Sequence, residues 1–185
     1  MLDVEIRRPR TEDIQELKQF FRIVITDTFI KEGIGEKLDD IKDEIEVKNK
    51  YLGNDFESNG EKRYFLIAVD GDKIIGSIEY GPASEIISKC TNIAIKEQIE
   101  VGTVFVHPNY QNKGIGNLLL NSIYSTMLNR GIEEFYLDSG YRSAQKIWKK
   151  KFGEPVYLLK DYWGEGFDYM IWRIGLRIEG VQKWM

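Results

Sequence analysis

The chain has 185 residues, of which 42% are hydrophobic and 30% are charged, and its formal net charge is −4. This composition indicates a folded globular chain with a sizeable core and excludes a largely disordered protein. The negative charge argues against nonspecific nucleic-acid binding and mildly favours cationic partners.

Membrane, disulfide and metal chemistry are also constrained. No apolar run reaches the roughly 20 residues that a membrane helix needs, and the N-terminal residues do not resemble a signal segment. We therefore expect a single cytoplasmic domain, residues 1–185, with no membrane or nucleic-acid partner. The one histidine, His107, cannot build a common multi-histidine metal site, and Cys90 has no second cysteine to pair with. We expect no metal, and we interpret His107 as a strand-end residue without a chemical role.

The N-terminal part of the chain predicts one strand and two helices. Val4–Arg8 has the composition of a short strand, which Pro9 ends because proline lacks a backbone N–H. Helical spacing of apolar residues follows at Ile14, Leu17, Phe21 and Val24. A second helix is predicted from Glu36 to about Leu52, and the polar residues Gly53–Lys62 predict a loop.

Two β-prone stretches come next, Tyr64–Val69 and Lys73–Tyr80. The residues Asp70-Gly71-Asp72 between them predict a tight hairpin, because glycine and aspartate accept positive φ. The following connection, Gly81–Gln98, is longer than a hairpin needs, and long connections are often functional or partly helical. We expect a short helix within Ser84–Lys96.

The most informative stretch begins with Ile99–Val106, an apolar, β-branched run that predicts a strand. Pro108 ends this strand, and the polar turn Gln111–Gly116 follows. An amphipathic helix is predicted from Ile115, with Gly131 at its C-terminal cap.

A glycine-bearing turn between a strand and a helix is a potential anion site. The first N–H groups of the helix lack partners, and the helix dipole adds partial positive charge there. Gly114 and Gly116 let a phosphate approach the main chain without meeting a Cβ. The turn therefore predicts a pyrophosphate site, with an ordinary strand-to-helix connection as the alternative.

The remainder predicts a strand at Glu134–Leu137 and a helix from Ser143 to about Lys151. A further strand is expected within Phe152–Leu159, and a final strand over Tyr169–Leu176. Between them lies an aromatic, glycine-rich loop, Asp161–Gly166. An antiparallel hairpin early in the chain and a strand–helix unit later predict a mixed sheet.

Two motifs carry a resemblance to a known family. Val104-Phe105-Val106-His107-Pro108, followed by Gln111-Asn112-Lys113-Gly114-Ile115-Gly116, resembles the acyl-CoA signature of the GNAT N-acetyltransferases. That signature is a V-x-V strand end followed by Q/R-x-x-G-x-G/A, and both halves match at the family's spacing. The flanking elements also follow the family's order over almost the whole chain. The resemblance implies an α/β (α+β) GNAT fold, a mixed central sheet of six to seven strands flanked by about four helices.

The resemblance also implies acetyl-CoA as co-substrate and a set of residues that bind it. The main-chain amides of residues 111–116 would face the pyrophosphate, and the pantetheine arm would pair with Phe105 and Val106, which places the thioester near Val104. The implied cofactor-binding residues are Val104, Phe105, Val106, Gln111, Asn112, Lys113, Gly114, Ile115, Gly116, Asn117 and Trp148. Trp148 is also open to a second interpretation, as core packing.

For the general base, the resemblance favours Glu100, which lies eleven residues before Gln111. Some family members use a glutamate at this place in the strand. An irregularity around Gly102–Thr103 would change the face that Glu100 occupies, so a surface carboxylate is the alternative. Glu79, near the end of the preceding strand, is the reserve candidate.

For the general acid, the chain departs from the family pattern N-x-x-A-x-x-x-Y. Tyr141 stands at the asparagine position and Trp148 at the tyrosine position, and an indole has no useful pKa. Either Tyr141 or Tyr162 protonates the leaving thiolate, or no acid is needed.

The resulting expectation is an acetyl-CoA-dependent N-acetyltransferase that acts on an amine of a small molecule or peptide. The missing tyrosine favours an alternative, a non-catalytic CoA-binding regulatory module. A nucleotide-binding domain is a further alternative, but no serine or threonine follows Lys113 in the G-K-[ST] order of a P-loop. Acceptor identity, acyl chain length and oligomeric state, including a homodimer, stay open.

Overall fold

The computed structural model describes residues 3–177 and 180–183. In that part of the chain, none of the helices combines the length and hydrophobicity that a membrane crossing requires. The strands are β1 (Val4–Arg7), β2 (Tyr64–Asp70), β3 (Lys73–Pro82), β4 (Ile99–Val106), β5 (Glu134–Ser139), β6 (Tyr157–Leu159), β7 (Tyr169–Arg177) and β8 (Gly180–Lys183). The helices are α1 (Ile14–Lys31), α2 (Leu38–Ser58), α3 (Glu85–Thr91), α4 (Ile115–Asn129) and α5 (Arg142–Phe152), with short 3₁₀ turns at Thr11–Asp13, Ile95–Glu97 and Pro108–Tyr110.

The chain divides into two compact units. The first comprises Met1–Tyr80 and Thr103–Ile123, and the second comprises Gly81–Gly102 and Tyr124–Met185. Strands β3 and β4 and helix α4 each contribute residues to both units. The single domain expected from the sequence stays a prediction.

In the first unit the strand order is β1-β2-β3-β4. Strand β1 is antiparallel to β2, and the predicted hairpin is confirmed, because β2 is antiparallel to β3 with Asp70 opposite Lys73. The helices α1 and α2 pack against each other. The core of this unit consists of fully buried apolar side chains, among them Leu17, Phe21, Phe65, Ile67 and Ile75.

Helix α2 is longer than its sequence predicts. It continues through Gly53 to Ser58, so the predicted loop at Gly53–Lys62 is wrong for its first six residues. The reason is Asp55, which is fully buried and accepts hydrogen bonds from the Phe65 N–H, at 2.7 Å, and from Arg8. These tertiary contacts outweigh the low helix propensity of glycine, and Asn59, with φ of 50°, ends the helix.

In the second unit the strand order is β4-β5-β7-β6, and β8 pairs with β7. Strands β4 and β5 are parallel at Glu100 and Tyr136, whereas β7 is antiparallel to β5, β6 and β8. The predicted mixed sheet is therefore confirmed. Helix α3 and the 3₁₀ turn at Ile95–Glu97 occupy the long connection in which a short helix was expected.

Candidate active site

The turn after β4 begins at His107, whose position is fixed by two hydrogen bonds. The His107 N–H donates to the Ile75 carbonyl at 2.9 Å, and His107 Nδ1 accepts from the Asn109 N–H at 3.2 Å. Burial, with a smaller contribution from Lys73, lowers the pKa of His107 below its ordinary value. The imidazole is therefore neutral near neutral pH and acts as a hydrogen-bond acceptor that shapes the turn.

The turn itself bends through two positive-φ residues, Asn112 with φ of 60° and Gly114 with φ of 83°. Residues 111–114 are exposed, and helix α4 starts at Ile115 as predicted. A Cβ built on Gly114 or on Gly116 would meet no atom within 4 Å. The main chain at the start of α4 is thus accessible, so a phosphate group could approach its backbone N–H groups without a steric clash.

Side chains near the turn hold it in place. Gln111 Nε2 donates to the Val106 carbonyl at 3.3 Å, and Gln111 Oε1 accepts from Lys31 Nζ at 3.4 Å. Lys113 Nζ lies 5.2 Å from the centre of the Tyr110 ring. Asn117, in the first turn of α4, is exposed. Lys113 brings positive charge to the turn, whereas the charge of Lys31 is offset by Asp27, whose Oδ2 lies 2.6 Å from Lys31 Nζ.

Close packing sets the position of helix α4. A Cβ on Gly76 would lie 2.9 Å from Leu119 Cδ1, 3.1 Å from Ile115 Cγ2 and 3.2 Å from the Phe105 carbonyl. Because Ile115 is buried, only its main chain is available to a ligand. The absence of a side chain at Gly76 therefore lets the helix start lie directly against the strands.

The strand before the turn contains a strained residue. Thr103 has φ of 50° in the middle of β4, a conformation that β-branched residues rarely adopt and that costs about 1–3 kcal/mol. Two contacts hold it, since its carbonyl accepts from Ser77 Oγ at 2.9 Å and its Oγ1 donates to Glu79 Oε1 at 3.2 Å. The strand is thus irregular at Thr103, within the stretch where the sequence analysis considers an irregularity. This residue immediately precedes Val104, Phe105 and Val106.

Glu79 is part of a buried ion pair. Its side chain lies 2.6 Å from Arg63 Nη1, and the two residues are 1% and 7% exposed. The Arg63 guanidinium also stacks 3.7 Å from the centre of the Tyr51 ring. A carboxylate with both oxygens engaged and its charge neutralised is suited to a structural role, and this argues against Glu79 as the reserve base. Sequence reasoning missed Arg63, because nothing near residue 63 indicates a partner sixteen positions away.

Glu100, the preferred base candidate, lies in the second unit. It is half-buried, and its Oε2 accepts a hydrogen bond from the Ser84 N–H at 2.7 Å. Ser84 is the N-cap residue of α3. The carboxylate is therefore held in position by a backbone donor from the long connection between β3 and β4.

Tyr141 and Trp148 belong to helix α5 and its cap. Tyr141 is the half-buried N-cap residue, whose N–H donates to Ser139 Oγ at 3.1 Å. Trp148 is 8% exposed and stacks on Phe152, with ring centroids 5.8 Å apart. This burial accords with core packing, and contact between Trp148 and a bound pantetheine stays a prediction.

The first unit thus brings together the strand end at Val104–Val106, the turn at Gln111–Gly116 and the buried Arg63–Glu79 pair. The second unit holds Glu100, Tyr141 and Trp148.

No curated protein sequence matches the chain at a significant level.

Several solved structures share this fold. A GNAT-family protein from Desulfovibrio desulfuricans has a TM-score of 0.70 at 17% identity, covering 94% of this chain and 99% of that chain. PaiA N-acetyltransferase from Thermoplasma acidophilum, in complex with coenzyme A, has a TM-score of 0.67 at 21% identity, covering 99% and 100%. Ribosomal-protein-alanine N-acetyltransferase from Brucella melitensis has a TM-score of 0.66 at 20% identity, covering 91% and 98%. These similarities establish the predicted fold.

The family assignment comes from the sequence profile of the acetyltransferase (GNAT) family, which matches residues 25–154. The match spans β4, the glycine turn, α4 and α5, which include all the motif residues on which the resemblance depended. With the fold and the matched segment in agreement, the chain belongs to the GNAT acetyltransferase family.

Proposed function

We propose that the protein is an acetyl-CoA-dependent N-acetyltransferase that acts on a primary amine of a small molecule or peptide. The observation that carries this proposal is the open turn at Gln111–Gly116, where Gly114 and Gly116 leave the start of α4 accessible. Family membership supports acyl transfer as the reaction type. The coenzyme A bound to the Thermoplasma acidophilum protein supports the same class of donor.

The chain offers the groups that this donor requires. The amides of residues 111–116 would bind the pyrophosphate, aided by the helix dipole and by Lys113. The main chain at Phe105 and Val106 would pair with the pantetheine arm, and the backbone N–H at Val104 would serve as the oxyanion donor. Acetyl-CoA, when bound, supplies the acetyl group as a thioester.

Proton transfer is assigned to two residues of the second unit. An aliphatic amine is an ammonium ion near neutral pH, so a base must remove a proton before the nitrogen becomes nucleophilic. Glu100 takes that proton, directly or through water, with its carboxylate positioned by Ser84. Tyr141 holds a proton for the departing thiolate, and water is the alternative donor because a thiolate is a good leaving group.

Two measurements test the proposal. Calorimetry with acetyl-CoA and with ATP should detect binding of the first only, and an assay of free thiol across classes of amine should detect acetyl-CoA-dependent turnover. Absence of acetyl-CoA binding in the millimolar range would refute the donor assignment, because the open turn would then be an ordinary connection.

Glu100→Gln tests the base directly. The glutamine keeps an oxygen that can accept the Ser84 N–H, so the fold should be retained. We expect kcat to fall about 100-fold, with loss of the acidic limb of the pH profile, because a general base contributes about this much. An unchanged pH profile would remove Glu100 from the mechanism.

The second candidate function is a non-catalytic CoA-binding module. The observation that favours it is Trp148, which is buried at the position where many family members have the acid tyrosine. Acetyl-CoA binding with no thiol release from any amine would support this module, and detectable turnover would exclude it.

A further inference from the structure

The loop between β6 and β7 exposes two large aromatic side chains. Tyr162 is 49% exposed and Trp163 is 59% exposed. An exposed apolar surface that is rimmed by charged residues is typical of a recognition site, and tyrosine and tryptophan are enriched in such sites. The loop therefore has the composition of a binding surface.

The loop is ordered by its own hydrogen bonds. Two carboxylates cap backbone donors, since Asp161 Oδ1 accepts from the Gly166 N–H at 2.7 Å and Asp168 Oδ1 accepts from the Asp161 N–H at 2.8 Å. Three backbone bonds complete it, Trp163 N to Phe167 O at 3.1 Å, Gly164 N to Asp161 O at 3.0 Å and Phe167 N to Gly164 O at 2.9 Å. The rings are thus held in place before any ligand arrives, which reduces the entropy cost of binding.

Three rings form one cluster, which we call the aromatic corner: Tyr162, Trp163 and Tyr169. The Tyr162 and Trp163 rings are perpendicular, at 86°, with centroids 4.9 Å apart. Tyr169 lies 5.5 Å from Tyr162 and 6.2 Å from Trp163, and its hydroxyl donates to the Asp138 carboxylate. That bond polarises the phenol and increases the negative potential of its ring face.

The charges around the aromatic corner are mostly negative. Residues 160–168 carry three carboxylates and one cation, Asp161, Glu165 and Asp168 with Lys160. Asp138 accepts from the Tyr169 hydroxyl, and Arg142 adds a second cation beside Phe167. One of the cations is already engaged, because the Arg142 guanidinium lies 4.2 Å from the centre of the Phe167 ring. Aromatic faces and carboxylates both attract positive charge, so the chemistry of this surface fits an organic cation.

The corner also lies beside a residue with a proposed catalytic role. A Cβ on Gly140 would be 2.9 Å from Trp163 Nε1 and 3.0 Å from Trp163 Cδ1. The indole therefore packs over Gly140, the residue immediately before Tyr141. A ligand on the corner would be bound within the same unit as Tyr141 and close to it in the chain.

We propose that the aromatic corner binds a second ammonium group of the acceptor, one that stays protonated while the reacting nitrogen loses its proton. It cannot be the nitrogen that is acetylated, since that nitrogen must lose its charge before it reacts, whereas a cation–π contact requires the charge. The acceptor class is therefore a molecule with at least two cationic nitrogens, and this assignment rests on the proposed N-acetyltransferase function.

The first experiment measures cation binding without acetyl transfer. Tetramethylammonium chloride, which has no N–H to acetylate, and its neutral analogue tert-butanol are titrated into the full-length protein at constant ionic strength. The readout is the indole N–H resonance of Trp163, with that of Trp172, which donates to the Gly153 carbonyl, as internal reference. We expect saturable shifts at Trp163 with tetramethylammonium and an affinity about 10-fold weaker for tert-butanol.

Substitutions separate the ring from the fold. Because these variants lack the Trp163 indole, binding is followed instead on the methyl resonance of tetramethylammonium. Trp163→Leu should weaken tetramethylammonium binding about 10-fold, whereas Trp163→Phe should retain most of it. Leu158→Ser, at another exposed apolar side chain of the same unit, is the control and should have no effect. Equal binding of the cation and the neutral analogue, or no binding of either, would overturn the corner as a cation site.

The second experiment links the corner to the acceptor. Cadaverine and pentylamine differ by one terminal ammonium, so kcat/KM should favour cadaverine about 10-fold in the unmodified protein and lose this preference in Trp163→Leu. Equal kcat/KM for the two amines would refute the acceptor assignment. Acetyl-CoA affinity, measured by calorimetry on the same samples, reports separately on the proposed function.

Discussion

Glycine serves opposite purposes at two places in this protein. In the turn Gln111–Gly116, nothing lies within 4 Å of the Cβ positions of Gly114 and Gly116, so glycine leaves the main chain open to a ligand. Gly140 lies beside the loop Asp161–Gly166, and the Trp163 indole occupies the space where a side chain at Gly140 would be. Here the absence of a side chain makes room for a ring of the protein itself. We therefore propose opposite ligands for the two places, an anion at the main chain of the turn and an organic cation at the aromatic corner.

The two loops are also supported differently. The turn Gln111–Gly116, which we call the anion turn, follows a strand in which Ser77 and the buried Arg63–Glu79 pair hold the strained Thr103. The aromatic loop depends on hydrogen bonds within its own residues. This difference predicts that damage to the first should spread from a distant buried site, whereas damage to the second should stay local.

The largest effect is expected from filling the anion turn. Gly114→Asp combined with Gly116→Asp places two carboxylates where a phosphate would bind, and one of them strains a backbone with φ of 83°. We expect calorimetry to show at least a ~1,000-fold loss of CoA affinity.

The control is Gly131→Asp combined with Gly53→Asp. It adds the same charge at one positive-φ glycine and one helical glycine, both of which also have open space around the Cβ position. We expect it to bind CoA normally. Loss of binding in both double variants would contradict the special role of the turn.

The next largest effect tests the buried Arg63–Glu79 pair in the strands before that turn. Arg63→Met leaves Glu79 buried without its partner and should destabilise the fold by about 3–5 kcal/mol in urea unfolding. Combining it with Glu79→Leu removes the stranded charge and should recover part of that stability. If the double variant were as unstable as the sum of the single ones, the pair would not be coupled.

A smaller effect is expected from crowding the Trp163 ring of the aromatic corner. Gly140→Ala places a methyl group 2.9 Å from Trp163 Nε1, and the indole must move because the backbone cannot. We expect a shifted Trp163 indole resonance and a roughly 5-fold loss of tetramethylammonium affinity. An unmoved resonance would show that the ring does not depend on Gly140.

The smallest effect concerns pH at the anion turn. Burial lowers the pKa of His107, so the folded chain binds that proton less readily than the unfolded chain. The stability that His107 contributes is complete above about pH 6.5 and is lost as pH falls through the folded pKa. Between about pH 7.5 and about pH 5, thermal unfolding of the wild type should therefore shift slightly more than that of His107→Asn, whose amide oxygen can replace Nδ1 as acceptor. Parallel curves for the two proteins would refute this role.

The sequence alone determined the elements whose signals are local. β4 spans Ile99–Val106 as predicted, and α4 begins at Ile115, because β-branched composition, proline and helical periodicity act within a few residues. The family motif lies in the same stretch, so the fold and the candidate anion turn could be inferred together.

Tertiary structure alone decided the features that join residues far apart in the chain. Asp55 extends α2 because it bonds to the Phe65 N–H and to Arg8, and the charge of Glu79 is neutralised because Arg63 pairs with it. The aromatic corner likewise depends on Trp163 resting over Gly140. Burial and hydrogen bonding between distant residues set the free energy of these arrangements, and no local pattern of residue types encodes which partners will meet.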